Sequence, residues 1–240
     1  MSRTVKFAVG IALIAVAVGL ATGWFWTSQT EATERVTARI DTVEIDNDSG
    51  DVMVRADDVS TVQIKERFRY RFDAPDTQAY SVDGSILKLD GCGWWCEVDY
   101  EVIVPRDTKV MGELDSGNLE LIGVAGGEVQ LNNGDTKLRD IAGPLSVDSN
   151  SGDITGAGLG ADLTLTANSG DITVVLTAPA NVTADVDSGN IDVVVPPGEY
   201  QVEADTDSGN RDIRIGNNSG ADHRLELTTD SGDVVVRPAS

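Results

Sequence analysis

Residues 140–210, a run of 71, contain no lysine, arginine or histidine, and the whole chain holds one histidine, His223. Parallel β-helices that cleave polysaccharides need a Lys, Arg or His base, or two carboxylates facing each other in a cleft. No such base exists over that span and no carboxylate pair stands out, so the sequence argues against an enzyme. His223, in "ADHRLEL", reads as an exposed loop residue. Cysteine is nearly as scarce. Two cysteines make a weak metal site, their three intervening residues are one too many for a redox CxxC, and neither is near the N-terminus to accept a lipid. Aromatic residues are 5% of the chain, and no stretch shows the period of a helix that could be defended.

The missing cations leave a formal net charge of -22, with 12 acidic residues inside 140–210. A chain this acidic repels phosphate backbones, which excludes nucleic acid as a partner. One wall of the fold must be strongly anionic.

The one long uncharged run is residues 7–26, built mainly from Ala, Val, Ile, Leu and Gly. At about 1.5 Å per residue it is long enough to cross a bilayer as a helix. Arg3 and Lys6 in front, Glu31 and Glu34 behind, place residues 1–6 in the cytoplasm and the rest outside. Trp24, Phe25 and Trp26 would sit at the outer interface. The apolar run is longer than that of a cleavable signal peptide and no small-x-small site follows, so the expectation is a single-pass signal anchor in the cell membrane. A polar stem, 27–35, then leads to an extracytoplasmic domain.

From there apolar and polar residues alternate almost to the C-terminus, a β pattern. A turn motif recurs eight times: Asp48-Ser49-Gly50-Asp51, Asp115-Ser116-Gly117-Asn118, Asn132-Asn133-Gly134-Asp135, Asn150-Ser151-Gly152-Asp153, Asn168-Ser169-Gly170-Asp171, Asp187-Ser188-Gly189-Asn190, Asp207-Ser208-Gly209-Asn210 and Asp230-Ser231-Gly232-Asp233. From Gly117 on, the glycines are 17, 18, 18, 19, 20 and 23 residues apart. Fixed periods of this size mean a repeat architecture. Around Gly170, apolar residues stand at -7, -5 and -3 (Leu163, Leu165, Ala167) and at +2 and +4 (Ile172, Val174). Positions -3 and +2 would face opposite ways in a straight strand, so the chain must bend between them. A hairpin meander and a β-solenoid both satisfy that. Type I′ hairpins want Asn-Gly or Gly-Gly, whereas most copies here have Ser first, so the all-β solenoid of 17–23-residue repeats is favoured over residues 110–240. The copy at Gly209 puts Arg211 at +2 and slips its apolar pair to Ile213 and Ile215, which predicts a bulge.

Residues 36–109 keep one turn copy and then show longer strands, as expected of an N-terminal β cap over the first coil. In "VQIKERFRYRF", 62–72, one side carries Val62, Ile64, Phe68, Tyr70 and Phe72, interrupted by Glu66; the other carries Lys65, Arg67, Arg69 and Arg71. These four cations either bind an anionic envelope polymer, lipid headgroup or protein, or pair with the acidic body of the same molecule. Cys92 and Cys96 flank "GWW", and outside the membrane a disulfide closing that loop is expected. Trp94 and Trp95 are then either held out as a contact surface or packed on the cap.

Within six of the turns one flank of the motif is Asp and the other Asn, and only the copies at Gly50 and Gly232, first and last in the chain, have Asp on both sides. Flanks that meet across the bend would favour an amide facing a carboxylate. The rival account is Ca²⁺ bridging the acidic turns, although the nonapeptide calcium repeat is absent.

The series "NSGDITV", "DSGNIDVVVPPGEYQVEADTDSGN" and "LELTTDSGDVVVRP", behind an apolar segment and "CGWWCEVDYEVIVP", resembles the bacterial putative-adhesin family of β-strand-repeat envelope proteins. The resemblance covers about residues 36–238. It implies an envelope-facing β-solenoid without enzymatic activity or catalytic residues, acting by adhesion or surface presentation, with a link to envelope-stress responses in some relatives. A self-assembling scaffold is the alternative.

Overall fold

The structure, a computed structural model, describes residues 28–71, 75 and 78–239; the expected membrane span at 7–26 lies outside them. Among the described residues every helix or strand element is a β-strand. Nine strand pairs each make one coil. They are β2 (Thr42–Asn47) with β3 (Val52–Asp57), β6 (Ile86–Asp90) with β7 (Cys96–Pro105), β8 (Lys109–Ser116) with β9 (Leu119–Ile122), β10 (Gly127–Asn133) with β11 (Thr136–Arg139), and β12 (Leu145–Ser151) with β13 (Ile154–Leu159). The remaining four are β14 (Leu163–Ser169) with β15 (Ile172–Leu176), β16 (Val182–Ser188) with β17 (Ile191–Val195), β18 (Tyr200–Ser208) with β19 (Arg211–Ile213), and β20 (His223–Ser231) with β21 (Val234–Pro238). Three further strands, β1 (Ser28–Val36), β4 (Val62–Tyr70) and β5 (Tyr80–Asp83), lie outside this pattern.

Parallel pairing between coils decides between the two candidate architectures. Leu163 stands between Leu145 and Val182 in one sheet, and Ile172 between Ile154 and Ile191 in the other. A meander would have given antiparallel neighbours. Because the chain turns a corner at Ser-Gly, Leu163, Leu165 and Ala167 from one sheet meet Ile172 and Val174 from the other inside the coil, each no more than 3% exposed. The same five places around Gly189 hold Val182, Ala184, Val186, Ile191 and Val193, all at 1% or less.

Stacking order differs from chain order at both ends. The two sheets run β5-β6-β2-β8-β10-β12-β14-β16-β20-β18 and β1-β4-β7-β3-β9-β11-β13-β15-β17-β21-β19. The first coil, β2 and β3, is therefore sandwiched between the second and the third. The last coil, β20 and β21, is inserted ahead of β18 and β19. Gly232, last in the chain, lies inside the stack, and Gly209 is the terminal turn.

Residues 36–109 are thus no separate cap. They contribute two full coils, because Val52 and Tyr100 continue the parallel ladder below Leu119. The covering strands are β1, β4 and β5. The polar stem expected at 27–35 is largely β1: β4 offers an open strand edge, and Ser28 to Val36 pair antiparallel with it from Tyr70 to Val62. At the other end the expected bulge is absent. Arg211 pairs in register with Val234, and with no coil beyond it the +2 place opens to solvent, where the guanidinium donates to Ala204 O (3.1 Å) and Asp205 Oδ1 (3.3 Å). The outer edge of β18 is covered by the segment after β19, where Asn218 N–H donates to Tyr200 O at 2.9 Å. Asn217 accepts from Val202 N–H at 3.0 Å and donates to Val202 O at 2.8 Å, imitating a neighbouring strand.

Candidate functional site

The turn motifs stack into one edge of the solenoid. A Cβ on Gly152 would lie 2.1 Å from Gly134 O, and one on Gly170 would lie 2.2 Å from Gly152 O. Gly152 also has φ +128. Backbone lies on backbone here, so glycine is demanded by close approach as well as by the bend.

Beside the glycines runs a side-chain ladder. The N–H of the residue after each glycine has no strand partner and donates instead to Oδ1 of the matching residue in the adjacent coil. The run is Asp51 to Asp99 (3.0 Å), Asn118 to Asp51 (2.8 Å), Asp135 to Asn118 (3.0 Å), Asp153 to Asp135 (3.0 Å) and Asp171 to Asp153 (2.8 Å). It continues as Asn190 to Asp171 (2.7 Å), Asp233 to Asn190 (2.9 Å) and Asn210 to Asp233 (2.8 Å). Asp and Asn qualify because both present an oxygen at the right reach. Where the residue is Asn, its amide also donates to the carboxylate below, at Asp51, Asp171 and Asp233.

The residues two before each glycine form a second column. In stacking order it reads Asp48, Asp115, Asn132, Asn150, Asn168, Asp187, Asp230, Asp207. The Asn132 amide donates to Asp115 (2.6 Å), Asn150 to Asn132 (2.6 Å) and Asn168 to Asn150 (2.9 Å). No hydrogen bond among the described residues joins the two flanks of one turn, which corrects the expected pairing across the bend. The amide-carboxylate contacts form between successive coils instead. Nor is the double-Asp turn an end effect: Asp233 sits between Asn190 and Asn210, both amides.

At the N-terminal end β4 carries Lys65, Arg67 and Arg69 between β1 and β7, with Arg71 one residue past its end; the facing residues include Glu31 of β1 and Glu97, Asp99 and Glu101 of β7. Arg67 donates to Glu31 at 2.9 Å and lies 3.9 Å from Asp99; Lys65 lies 3.8 Å from Glu31. Arg69 pairs with Glu97 and, at 3.0 Å, with Asp99. The Arg67 hydrogen bond, then the Lys65 charge, hold Glu31 below the usual carboxylate range. For these three cations the arrangement is pairing within the molecule; Arg71 donates its N–H to Trp95 O at 3.2 Å. Glu66 faces inward at 1% exposure, and burial raises its pKa. Its Oε1 accepts from Ala79 N–H at 2.8 Å, tying the chain ahead of β5 to the core.

Cys92 and Cys96 are bonded, with Cα atoms 5.5 Å apart, and both pack against the core. The loop they close holds Trp94 at 94% exposure and Trp95 at 64%. Trp95 has φ 69 and Gly93 φ 87. Such a backbone for a tryptophan costs about 1–2 kcal/mol and persists where surrounding structure over-determines it. A groove beside the loop is lined by Arg69, Arg71, Trp94 and Trp95 and by the carboxylates Asp48, Glu97 and Asp115.

The Toastrack DUF4097 family model matches residues 34–237. The chain belongs to this family. No curated protein matches it. Among solved structures, a putative adhesin from Bacteroides fragilis NCTC 9343 is similar at 13% identity and a TM-score of 0.45, over 88% of this chain and 98% of that one. A putative cell adhesion protein from Clostridium sporogenes ATCC 15579 is similar at 11% identity and a TM-score of 0.37, over 88% and 100%. A putative adhesin from Parabacteroides merdae ATCC 43184 gives 11% identity and 0.38, over 88% and 97%.

In this Toastrack chain no group of three or more His, Cys, Asp or Glu placed to hold a metal ion occurs among the described residues. Of the turn oxygens that calcium would need, those of the first column accept N–H, whereas the carboxylates of Asp187, Asp230 and Asp207 in the second column accept none among the described residues. His223, expected in a loop, opens β20 with its ring centroid 6.3 Å from that of Tyr200. Sequence reasoning missed Asp99, which starts the first column and also meets Arg69. It follows Val98, which takes the place of glycine in its coil, so no Ser-Gly marks it. It missed Asn217 as well, a lone amide outside the repeat.

Proposed function

We propose that this chain is a membrane-anchored, extracytoplasmic protein that presents a rigid surface at the cell envelope and binds partners there, as the family resemblance suggests. The observation that carries this reading is the second turn column. Asp187, Asp230 and Asp207 stand on three consecutive coils, exposed, with no hydrogen bond or ion pair of their own among the described residues. Structural demand places the first column's acids but not these, so they are left for something outside the molecule. Adhesion-type binding fits an array of fixed carboxylates repeated on consecutive coils, with no lysine, arginine or histidine between residues 140 and 210 to work beside Asp187 and Asp207. The resemblance extends the reading to envelope-stress responses.

The test is retention of envelope material by the full chain in lipid nanodiscs. A retained partner that is lost when Asp187, Asp207 and Asp230 are all changed to Asn supports binding through this edge. Retention untouched by the triple change, or release of cleaved glycan instead of retention, sinks it.

A further inference from the structure

Where the chain enters its domain bears on the tryptophan loop. Ser28 is the Cα partner of Tyr70, and Tyr70 is the partner of Cys96, so β1, β4 and β7 lie side by side with these three residues at the same end. Two strand spacings separate the entry point from the base of the loop, about 10 Å. Trp26, the last residue of the apolar run, is two residues before Ser28, within about 7 Å of extended chain. Of the protein's four tryptophans, Trp24 and Trp26 close the apolar run in the sequence and Trp94 and Trp95 stand on the loop.

We infer that the Cys92–Cys96 loop is a membrane foot: Trp94 and Trp95 seat in the headgroup region of the bilayer that residues 7–26 cross. This rests on the anchor reading proposed above. Tryptophan is at home at that depth because its ring is apolar and its indole N–H polar. An exposed tryptophan pair is otherwise costly in water, and here it is held out by a disulfide and a positive-φ residue. The groove beside it is lined by Arg69 and Arg71 but also by Asp48, Glu97 and Asp115, so the seating rests on the exposed rings and not on cations. The acidic turn edge starts at the same corner, and repulsion from an anionic leaflet would turn it away. Anchor and foot together give two points of attachment, so the coil stack would project outward in a fixed orientation instead of swinging on a tether. A glycan or protein ligand at this loop would have to enter the gap between domain and membrane.

The test uses the full chain with Trp24→Phe and Trp26→Phe, reconstituted in phosphatidylcholine/phosphatidylglycerol vesicles, so that Trp94 and Trp95 are the only emitters. Both substitutions lie ahead of Ser28, where β1 begins. Flotation with the vesicles reports the anchor. Quenching by phospholipid brominated near the headgroup, against quenching by aqueous iodide, reports the foot. The expected result is flotation, with most of the emission lost to bromolipid and little to iodide. Flotation with strong iodide quenching and none by bromolipid overturns the foot while leaving the anchor. No flotation overturns the anchor and the foot with it. Protection from iodide that requires added envelope glycan or protein assigns the loop to that ligand and overturns the inference.

Discussion

Between Tyr100 and Tyr200 the chain has no aromatic residue, whereas Phe68, Tyr70, Tyr80, Trp94, Trp95 and Tyr100 crowd the N-terminal end of the stack and Tyr200 stands in its last coil. An interior coil has a coil on either side, and Val, Ile, Leu and Ala fill its narrow core. An end coil has one open face and must close it. At the N-terminal end large rings do so: Phe68 and Tyr100 are 1% and 2% exposed, and the Tyr100 hydroxyl shares its one proton between Ala79 O (2.5 Å) and Asp90 O (2.6 Å). Burial pushes the Tyr100 hydroxyl well above its usual range, and burial with the Glu34 hydrogen bond raises Tyr80 to about 12. The C-terminal end is closed more lightly, by Tyr200, Arg211 and Asn217. At both ends chain order is exchanged, so the outermost coil is never formed by the outermost stretch of repeat sequence. A coil that would fray if it were terminal is held between two others.

That exchange yields the largest expected effect. In a solenoid stacked in chain order, deleting 221–240 would trim one end and spare the rest. Here it removes an interior layer and leaves β18 and β19 without the strands they pair with, since β20 contacts both β16 and β18. Residues 200–213 should lose hydrogen-exchange protection entirely while β8 to β15 keep theirs. Protection retained at 200–213 would mean those strands can dock on β16 and β17 directly.

Next in size is a single methyl group. Gly152→Ala drives a Cβ to 2.1 Å from Gly134 O at φ +128, with coils on both sides, and should cost more than about 3 kcal/mol in chemical denaturation. Gly209→Ala meets Gly232 O at 1.9 Å but lies in the terminal coil, which can tilt away, so its cost should be clearly smaller. Equal losses would erase the distinction between interior and end.

Much of the interior was legible in the sequence, because one period, one apolar pattern and one glycine repeat agree there. Leu163, Leu165, Ala167, Ile172 and Val174 were enough to force the bend, and parallel stacking followed from the Ser-Gly chemistry. The ends were not legible. Inserting β20 between β16 and β18 leaves only an indirect trace, the lengthening of the spacing to 20 and 23 residues, since a coil that skips a place needs a longer connection. The stem became β1 because an unpaired edge on β4 was waiting, a tertiary fact no local pattern carries. The site divides the same way. The four cations from Lys65 to Arg71 could be read as a stripe, but Glu31, Glu97 and Asp99, the partners of the three on β4, come from strands whose adjacency only the fold creates.

Glu66 sharpens the contrast from the side of the N-terminal end, where a carboxyl occupies a place that in the interior would be aliphatic. Burial first, with the Glu34 charge adding to it, raises its pKa in the folded state, while Ala79 N–H works the other way. The folded form therefore holds this proton at a pH where the unfolded form has lost it. Its contribution is fully present below the ordinary value of 4.5 and declines as pH rises through the folded value. Glu66→Gln keeps an oxygen for Ala79 N–H and cannot ionise, so relative to the parent it should gain urea midpoint between pH 5 and pH 7. Glu66→Ala strands that N–H and should lose about 1–3 kcal/mol at either pH. A parent-minus-Gln difference that does not change with pH would show that Glu66 is solvated.

The smallest effect probes the interior turn column. Asn190 accepts from Asp233 N–H and gives both its backbone N–H and its amide to Asp171 Oδ1, the latter at 3.1 Å. Asn190→Asp keeps the acceptor, loses the amide donor, and sets a carboxylate against Asp171 in the coil below. The cost should be up to about 1 kcal/mol at low salt, as for like charges directly opposite in a sheet, and should shrink as salt is added. Rescue identifies the partner. Asp171→Asn restores an amide facing a carboxylate and should recover most of the loss, whereas Asp187→Asn, on the other flank of the same turn, should recover little. Thermal melts of the three single and two double variants give both cycles, and the interaction term should appear only with position 171. If it appears with 187 instead, the ladder runs across the bends and the stacking of side chains between coils does not govern which turns carry Asp and which carry Asn.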